Sequence, residues 1–345
     1  PESIRRINHR CESISRVLLK CISMIEKKSR EYEIEDVFRT YGVLTREAGF
    51  YFYFSRKIRE LRESGHEGTA RAYASSLRSM QRYLGKKDFP FIKLSSRIIS
   101  DYQGKLLASG ICDNTIGFYL HNIKALFRKG CREMGLELPC PFRDISIKTK
   151  KTLKRSLDPV VIKTLSAIEL EKDSPLSLAR DIFMFSFYTR GMSFVDIALL
   201  KKRHVFPGEI CYRRHKTDQL MRVGINKEIS RILERYKNVP GEYIFPLFPA
   251  ERDPYAGYRN AYHRIRYSLG KISRVIGLEF PLRLHAARHS WATIAKVNGA
   301  SVHVIGECLG HTSEKTTRIY LKELDHSALD AVNNQVADFI LAVDD

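Results

Sequence analysis

Apolar residues recur at intervals of three and four along most of this chain, and that spacing constrains its fold more than any other feature. The clearest run lies between Ile4 and about Lys27, where one apolar stripe follows the helical period: Ile14, Val17, Leu18, Cys21, Ile22 and Ile25. No apolar run reaches the ~18 residues that a membrane-spanning helix needs. The pattern therefore predicts amphipathic helices packed around cores, with one face of each helix in solvent.

Glycines, prolines and an Asp-Asn pair divide the helical pattern into separate segments. The predicted helices cover residues 34–41, 46–63, 67–84, 96–109, 113–134, 158–170, 175–188, 193–201, 226–238, 255–275, 286–298, 301–309, 312–321 and 326–341. Between residues 209 and 225, apolar and polar residues alternate instead, which predicts a β-hairpin. We therefore expect a mainly α fold with a small β-sheet, of the α+β class.

The chain is too long for one domain, because its 345 residues exceed the roughly 250–300 residues at which a single core stops growing. The expected parts are an N-terminal helical segment 1–44, a basic helical domain 45–141, a basic linker 142–157, a second domain 158–325 and an acidic helix 326–345. The sequence starts at Pro1 rather than at a methionine. Segment 1–44 is therefore interpreted as the remnant of a further N-terminal domain.

The net charge of +20 indicates a polyanionic partner. The excess is concentrated in two blocks, since residues 51–150 carry 19 basic against 9 acidic side chains and residues 201–300 carry 20 against 8. Two separate basic blocks are typical of a protein that grips nucleic acid from two sides. In the first block we expect four basic side chains to contact DNA: Arg71, Arg78, Lys124 and Arg128.

Seven cysteines are scattered without a Cys-x-x-Cys pair or a nearby histidine, which argues against a zinc site and a disulfide framework. We expect reduced thiols, no metal and no cofactor. The N-terminus lacks the apolar stretch of a secretory signal. The sequence therefore predicts a cytoplasmic protein that does not associate with a membrane.

One stretch near the C-terminus combines residues suited to phosphate chemistry. His285 and Arg288 lie three apart at a predicted helix start, so they share one face. Gly310 permits a sharp turn before His311, and Tyr320 follows nine residues later in a short predicted helix. Two histidines, an arginine and a tyrosine in a basic protein predict a phosphate site with a nucleophile.

These motifs closely resemble the tyrosine recombinases, the phage integrase family. Three motifs show the resemblance: His285-x-x-Arg288-His289, Leu309-Gly310-His311 and Tyr320. Three further segments precede them in the order that the family has: Tyr188 to Asp196, Lys216-Thr217 and Ile244-Phe245-Pro246. The resemblance covers about residues 158–340. It implies that domain 158–325 is the catalytic domain and that domain 45–141, by order and size, is the core-DNA-binding domain.

The resemblance implies a site-specific DNA recombinase for integration, excision or inversion, which works without metal or ATP. Tyr320 would attack a phosphodiester and form a 3′-phosphotyrosine. Arg288, His285 and His311 would neutralise the nonbridging oxygens, because charge developing on a phosphate needs fixed donors. Lys216, on the hairpin, would protonate the departing 5′-oxygen.

The resemblance also sets the expected partners. They are double-stranded DNA, a homotetramer on two duplexes formed from free monomers, and accessory DNA-bending or directionality proteins. A bacterial, nucleoid-associated location is expected with them. The predicted helix 326–341 has an apolar stripe that the family would exchange between protomers: Val332, Val336, Phe339 and Ile340.

One position departs from the family pattern. Most members carry an arginine three residues before an acidic residue, but counting back from Asp196 gives Ser193. The Gly-Met-Ser pattern at this position resembles integrases of Bacteroides-type mobile elements. Arg214 and Arg190 are the candidate replacements. We favour Arg214, because strand alternation points it to the same side as Lys216.

Two other classes of function stay open at this point. A type IB topoisomerase uses a similar pocket, but it relaxes DNA without exchanging strands between two sites. A noncatalytic DNA-binding or architectural protein would explain the missing arginine at Ser193. Cleavage of a nicked suicide substrate separates that class from both enzymes.

Overall fold

The structure is a computed structural model that describes residues 2–26, 31–34, 36–37, 40–41, 49–136, 138–147, 150, 155–248, 254–311 and 313–321. The chain divides into two compact units, Pro1–Thr152 and Leu153–Asp345. Among the described residues, no helix is both long and apolar enough to cross a membrane.

The first unit is helical. The helices described with both ends in this unit are α1 (Glu2–Glu26), α2 (Phe50–Glu63), α3 (Glu67–Leu84), α4 (Ser96–Ala108) and α5 (Asp113–Glu133). Their apolar faces bury an aromatic core around Phe50, Phe54, Phe91 and Tyr102, each of them fully buried. The side chain of Asp88 accepts hydrogen bonds from the first free backbone N–H groups of α2, which fixes where that helix begins.

Part of the predicted linker 142–157 is packed against its own unit. Phe142 is buried in the first unit's core, and Ile145 and Ile147 pack against that core. The amide side chain of Asn114 pairs with both backbone groups of Lys150. At the far end, the backbone N–H of Leu157 donates to the buried hydroxyl of Ser290, at 2.7 Å. An extended segment has no helical period, so the sequence pattern does not reveal this packing.

The second unit is built around one buried helix. Its α-helices within the described residues are α6 (Pro159–Ala167), α7 (Pro175–Tyr188), α8 (Phe194–Ala198), α9 (Lys227–Arg235), α10 (Pro254–Val275), α11 (Leu284–Val297), α12 (Val302–Leu309) and α13 (Glu314–Tyr320). Helix α7 is buried along most of its length and contacts α6 and α8 to α11. Buried Asp181 on α7 accepts hydrogen bonds from Arg235 and Tyr236, which ties it to the end of α9.

In the described part of the second unit, three short strands form an antiparallel sheet in the order β1 (Val205–Phe206), β2 (Glu209–Arg213), β3 (Leu220–Gly224). Strands β2 and β3 form the predicted hairpin, with Tyr212 opposite Met221. Strand β1 was not predicted, because two residues are too short to show alternation. The predicted fold class, mainly α with a small sheet, is confirmed.

Several predicted helix bounds differ from those observed. The predicted helix 193–201 is shorter in the structure, where α8 covers only Phe194–Ala198. It ends before Leu199-Leu200 because the backbone is extended at Lys201. The predicted helix 312–321 begins later, at Glu314, after the extended Ser313. Within the predicted helix 34–41, the described residues 34, 36–37 and 40–41 are helical. The predicted helix 326–341 lies outside the described residues.

Candidate active site

Arg288 is the buried centre of the site. It lies on α11, one turn after His285, and its side chain is almost wholly enclosed. The guanidinium donates through Nη1 to the carbonyl of Gly191 at 2.8 Å and through Nη2 to the carbonyl of Leu309 at 2.5 Å. Arg288 therefore joins the turn after α7 to the end of α12.

The turn after α7 requires a glycine. Arg190 and Gly191 both have positive φ, 60° and 76°, and glycine adopts this region without strain. A Cβ on Gly191 would lie only 2.6 Å from Cγ of Arg288 and 2.9 Å from its Cα. Gly191 thus lets the turn approach α11 closely enough for its carbonyl to bind Arg288.

His311 follows the left-handed Gly310 that ends α12. Its Nε2 lies 3.0 Å from Nη2 of Arg288, and its Nδ1 lies 3.1 Å from the hydroxyl of Thr317. Burial, then the positive charges of Arg288, Arg214 and Lys216, lowers the pKa of His311 to about 4. The imidazole is therefore neutral near pH 7, with cations around it.

Arg214 reaches the site from the turn of the hairpin. Its Nη1 donates to the carbonyl of Gly310 at 2.5 Å. A Cβ on Gly310 would come within 2.9 Å of the sulfur of Met221 on β3, so the hairpin packs closely on this turn. Arg213 turns the other way and pairs with exposed Asp218. The structure brings Arg214 beside His311, but both Arg214 and Lys216 lie in the turn beyond β2, so the expected strand alternation does not place them.

Lys216 and Arg190 lie at the edge of the same cluster. Lys216 is exposed, and its charge contributes to the lowered pKa of His311. Arg190 is half-buried. Burial and Asp196 raise the pKa of the Tyr212 hydroxyl, while Arg214, Arg288 and Arg190 oppose that shift, which places these arginines around Tyr212.

Ser193 is not placed as a phosphate donor, because its hydroxyl donates to Asp196 at 2.6 Å. The other carboxylate oxygen of Asp196 accepts from the backbone N–H of His215, at 2.7 Å. Buried Asp196 therefore holds the hairpin turn between Arg214 and Lys216 against the start of α8. This positioning role of Asp196 was not predicted from the sequence, in which Asp196 was used only to locate Ser193.

His285 lies in the first turn of α11, and Tyr320 is the last residue of α13. His285 is exposed at the start of α11 and stacks edge-to-face on His289, with ring centroids 4.8 Å apart. The backbone of Tyr320 closes α13, the helix whose buried Thr317 contacts His311. The structure thus joins Arg288, His311 and Arg214 directly and sets the helix of Tyr320 against them.

The predicted DNA contacts of the first unit lie on α3 and α5. Arg78 and Arg128 are exposed, Lys124 is half-buried, and half-buried Arg71 pairs with Glu67 at 2.8 Å. The second basic block, residues 201–300, contains a further basic surface, whose charges are spread along a helix and the loop after it. It is a cavity of about 580 Å³ along α10, lined by side chains that include Arg266, Arg274 and Arg283.

Within the described residues, no group of three or more His, Cys, Asp and Glu side chains is placed to hold a metal ion. The side chains that meet at the turn of Gly310, namely Arg288, Arg214, His311 and Thr317, are cationic or neutral. This donor set suits an anion such as a phosphodiester.

Comparison with known proteins gives matches in both units. The phage integrase family model matches residues 156–326, and the phage integrase SAM-like domain model matches residues 49–143. Tyrosine recombinase XerC of Shewanella oneidensis is 26% identical over 226 residues, which are 63% of this chain and 70% of the relative. Tyrosine recombinase XerD of Pseudomonas putida is 24% identical over 262 residues, 74% of this chain and 86% of the relative.

Solved structures share the fold. A lambda integrase dimer bound to a COC′ core site superposes with a TM-score of 0.60 at 17% identity, covering 80% of this chain and 98% of that one. The Tn1549 transposon integrase in complex with a circular intermediate DNA gives a TM-score of 0.60 at 14% identity, covering 83% and 99%. Because the two family models match both units and the XerC and XerD relatives span most of the chain, this chain belongs to the phage integrase family of tyrosine recombinases.

Proposed function

We propose that this protein, a site-specific DNA strand transferase by family, cuts and rejoins DNA through Tyr320. The Tyr320 hydroxyl loses its proton to solvent as its oxygen attacks the scissile phosphorus, the bond from phosphorus to the 5′-oxygen breaks, and a 3′-phosphotyrosine forms. Lys216 gives its proton to the departing 5′-oxygen. Attack by a 5′-hydroxyl from the partner strand reverses these steps, so the phosphodiester energy is conserved in the covalent link.

The observation that carries this proposal is the convergence of Arg288 and Arg214 on the turn at Gly310 and His311. Two guanidiniums beside a neutral histidine form a preorganised anion site, in which fixed donors stabilise charge as it develops on the phosphate. The nucleophile's helix packs on the same histidine through Thr317.

Arg214 is proposed as the second arginine of the phosphate clamp. Its carbonyl contact at Gly310 holds the guanidinium next to the Arg288 cluster. Arg190 is the competing candidate for the second arginine. Its backbone is in a left-handed turn, and among the described residues no contact comparable to that of Arg214 holds its side chain at the cluster. The hydroxyl of Ser193 is already committed to Asp196. We assign the clamp to Arg288 and Arg214, with His285 and His311 as further donors.

The proposed substrate is duplex DNA, bound through basic surfaces on both units. Exposed Arg78 and Arg128 on the first unit and the cavity along α10 on the second supply the positive charge. Binding should weaken steeply with salt, with a log–log slope near −0.9 for each phosphate that the protein neutralises. A slope near zero would contradict contact through these surfaces.

We place the protein among the recombinases of mobile elements, in the branch that resembles Bacteroides-type integrases. Its Gly191-Met192-Ser193 sequence and its structural likeness to the Tn1549 transposon integrase support this. A tetramer on two duplexes is the proposed working assembly, with tail 326–345 exchanged between protomers. Accessory DNA-bending proteins and association with the nucleoid stay predictions.

Recombination is favoured over relaxation alone, because the XerC and XerD relatives are named recombinases. A suicide substrate, nicked next to the cleavage point, tests the enzyme directly, since loss of the short 5′-fragment traps the covalent intermediate. Strand exchange between two sites would then separate a recombinase from a topoisomerase. Absence of any covalent complex would support the noncatalytic alternative.

A further inference from the structure

The proton on His311 is assigned by its neighbours. A guanidinium nitrogen can only donate hydrogen bonds, so Nη2 of Arg288, 3.0 Å from Nε2 of His311, meets a lone pair there. The neutral imidazole then carries its proton on Nδ1. That proton points to the hydroxyl oxygen of Thr317, 3.1 Å away.

Bound DNA would require the other tautomer. A phosphate oxygen can only accept, so His311 can bind the phosphodiester through Nε2 only if Nε2 carries the proton. If the ring stays neutral, Nδ1 must then become an acceptor, and its partner must change from accepting to donating. A hydroxyl group can do both, because it is a donor and an acceptor and rotates to suit.

Thr317 is placed to serve as such a partner. Its side chain is completely buried, so water does not reach the hydroxyl to replace it. A Cβ on Gly306 would lie 2.8 Å from its oxygen, which means that α12 is shaped to admit the hydroxyl. Thr317 also belongs to α13, the helix that ends at Tyr320, and precedes Tyr320 by three residues in the sequence.

We propose that Thr317 is a positioning residue whose hydroxyl lets His311 move its proton from Nδ1 to Nε2 when a phosphate oxygen replaces Nη2 of Arg288. The inference depends on the proposed function, since it assumes that His311 binds the scissile phosphate. The same hydroxyl keeps the nucleophile's helix in register with the histidine, so the two catalytic groups are set together.

The test compares two variants at the buried position with one at its exposed neighbour. Thr317→Val keeps the shape and removes the hydroxyl, Thr317→Ser keeps the hydroxyl, and Thr316→Val makes the same change where the side chain is exposed. Single-turnover cleavage of a suicide substrate should fall roughly 10-fold in Thr317→Val, the loss expected for one hydrogen bond in the transition state. Thr317→Ser and Thr316→Val should stay close to wild type, and DNA affinity should not change in any of the three.

A spectroscopic measurement keeps the inference falsifiable if Thr317→Val folds poorly. Nitrogen NMR of histidine-labelled Tyr320→Phe protein, which leaves DNA uncleaved, should show His311 protonated at Nδ1 when free and at Nε2 when bound to DNA. His311→Gln identifies the resonance. Protonation at Nε2 in the free protein, or the same tautomer in both states, would overturn the inference. So would wild-type cleavage by Thr317→Val.

These outcomes are distinguishable from failure of the proposed function. If the wild-type protein formed no covalent complex with any substrate, the function would be wrong, and the tautomer of the free protein would still be measured. If cleavage were normal and only the Thr317 variants contradicted expectation, the function would stand without this role for Thr317.

Discussion

Replacing Arg214 with alanine tests the assignment of the second arginine. The change removes one guanidinium from the cluster around His311, together with its hydrogen bond to the carbonyl of Gly310. The lost hydrogen bond should lower the free energy of unfolding by only about 1 kcal/mol. Loss of one preorganised donor to a developing charge costs about 2.7–4 kcal/mol in the transition state, or 10²–10³-fold in rate.

The assay is the rate of covalent complex formation on a suicide substrate at saturating protein, which separates chemistry from DNA affinity. Arg213→Ala is the matched control, because Arg213 precedes Arg214 in sequence but faces exposed Asp218. We expect a large loss in Arg214→Ala and a small one in Arg213→Ala. Adding Ser193→Arg to Arg214→Ala should restore part of the rate, since it returns a charge from the position that most family members use.

Two results would refute the assignment. Equal rates for Arg214→Ala and Arg213→Ala would mean that Arg214 has only a surface or structural role. A large loss of cleavage rate in Arg190→Ala alone would identify Arg190, in the turn after α7, as the second arginine of the clamp.

The remaining predictions concern the turn, the histidine and the tail. Gly191→Ala should cut the cleavage rate sharply, because its Cβ would displace Arg288, whereas Gly208→Ala has a similar positive φ of 83° but open space around it; equal effects would indicate backbone strain alone. Because the folded-state pKa of His311, about 4, lies below its ordinary 6.5, the unfolded chain binds the proton first as pH falls. The free energy of unfolding should therefore decrease as pH falls from 6.5 to 4. Chemical denaturation should show a smaller decrease over this range in His311→Gln than in the wild type. The same pH dependence in both proteins would exclude a buried neutral His311. Deleting residues 326–345 should leave cleavage at a single site but abolish synaptic tetramers in native gel analysis; surviving tetramers would show that the tail is not needed for assembly.

The sequence predicted those parts of the site that depend on local geometry. The three-residue spacing of His285 and Arg288 places them one turn apart on α11. Gly310 has the left-handed conformation that a sharp turn needs. Arg214 reaches the site from the turn and not by strand alternation, because β2 ends one residue earlier, at Arg213.

Contacts between distant segments could not be predicted in the same way. The fit of Gly191 against Arg288 joins residues 97 positions apart, and no local pattern encodes that approach. The bond from His215 to Asp196 and the contact of Thr317 with His311 also depend on how the hairpin and α13 pack. Such side chains look like ordinary polar residues until the packing brings them beside a residue proposed to be catalytic.

The central claim is that Tyr320 is the nucleophile of a DNA strand transferase, and covalent capture tests it most directly. Wild-type protein and Tyr320→Phe are incubated with a nicked suicide substrate, and the products are separated under denaturing conditions. Tyr320→Phe removes only the hydroxyl, so it should bind DNA with wild-type affinity and form no covalent complex, whereas the wild type should form one that protease digestion maps to Tyr320. Covalent capture by Tyr320→Phe, or a link mapped to another residue, would contradict the account.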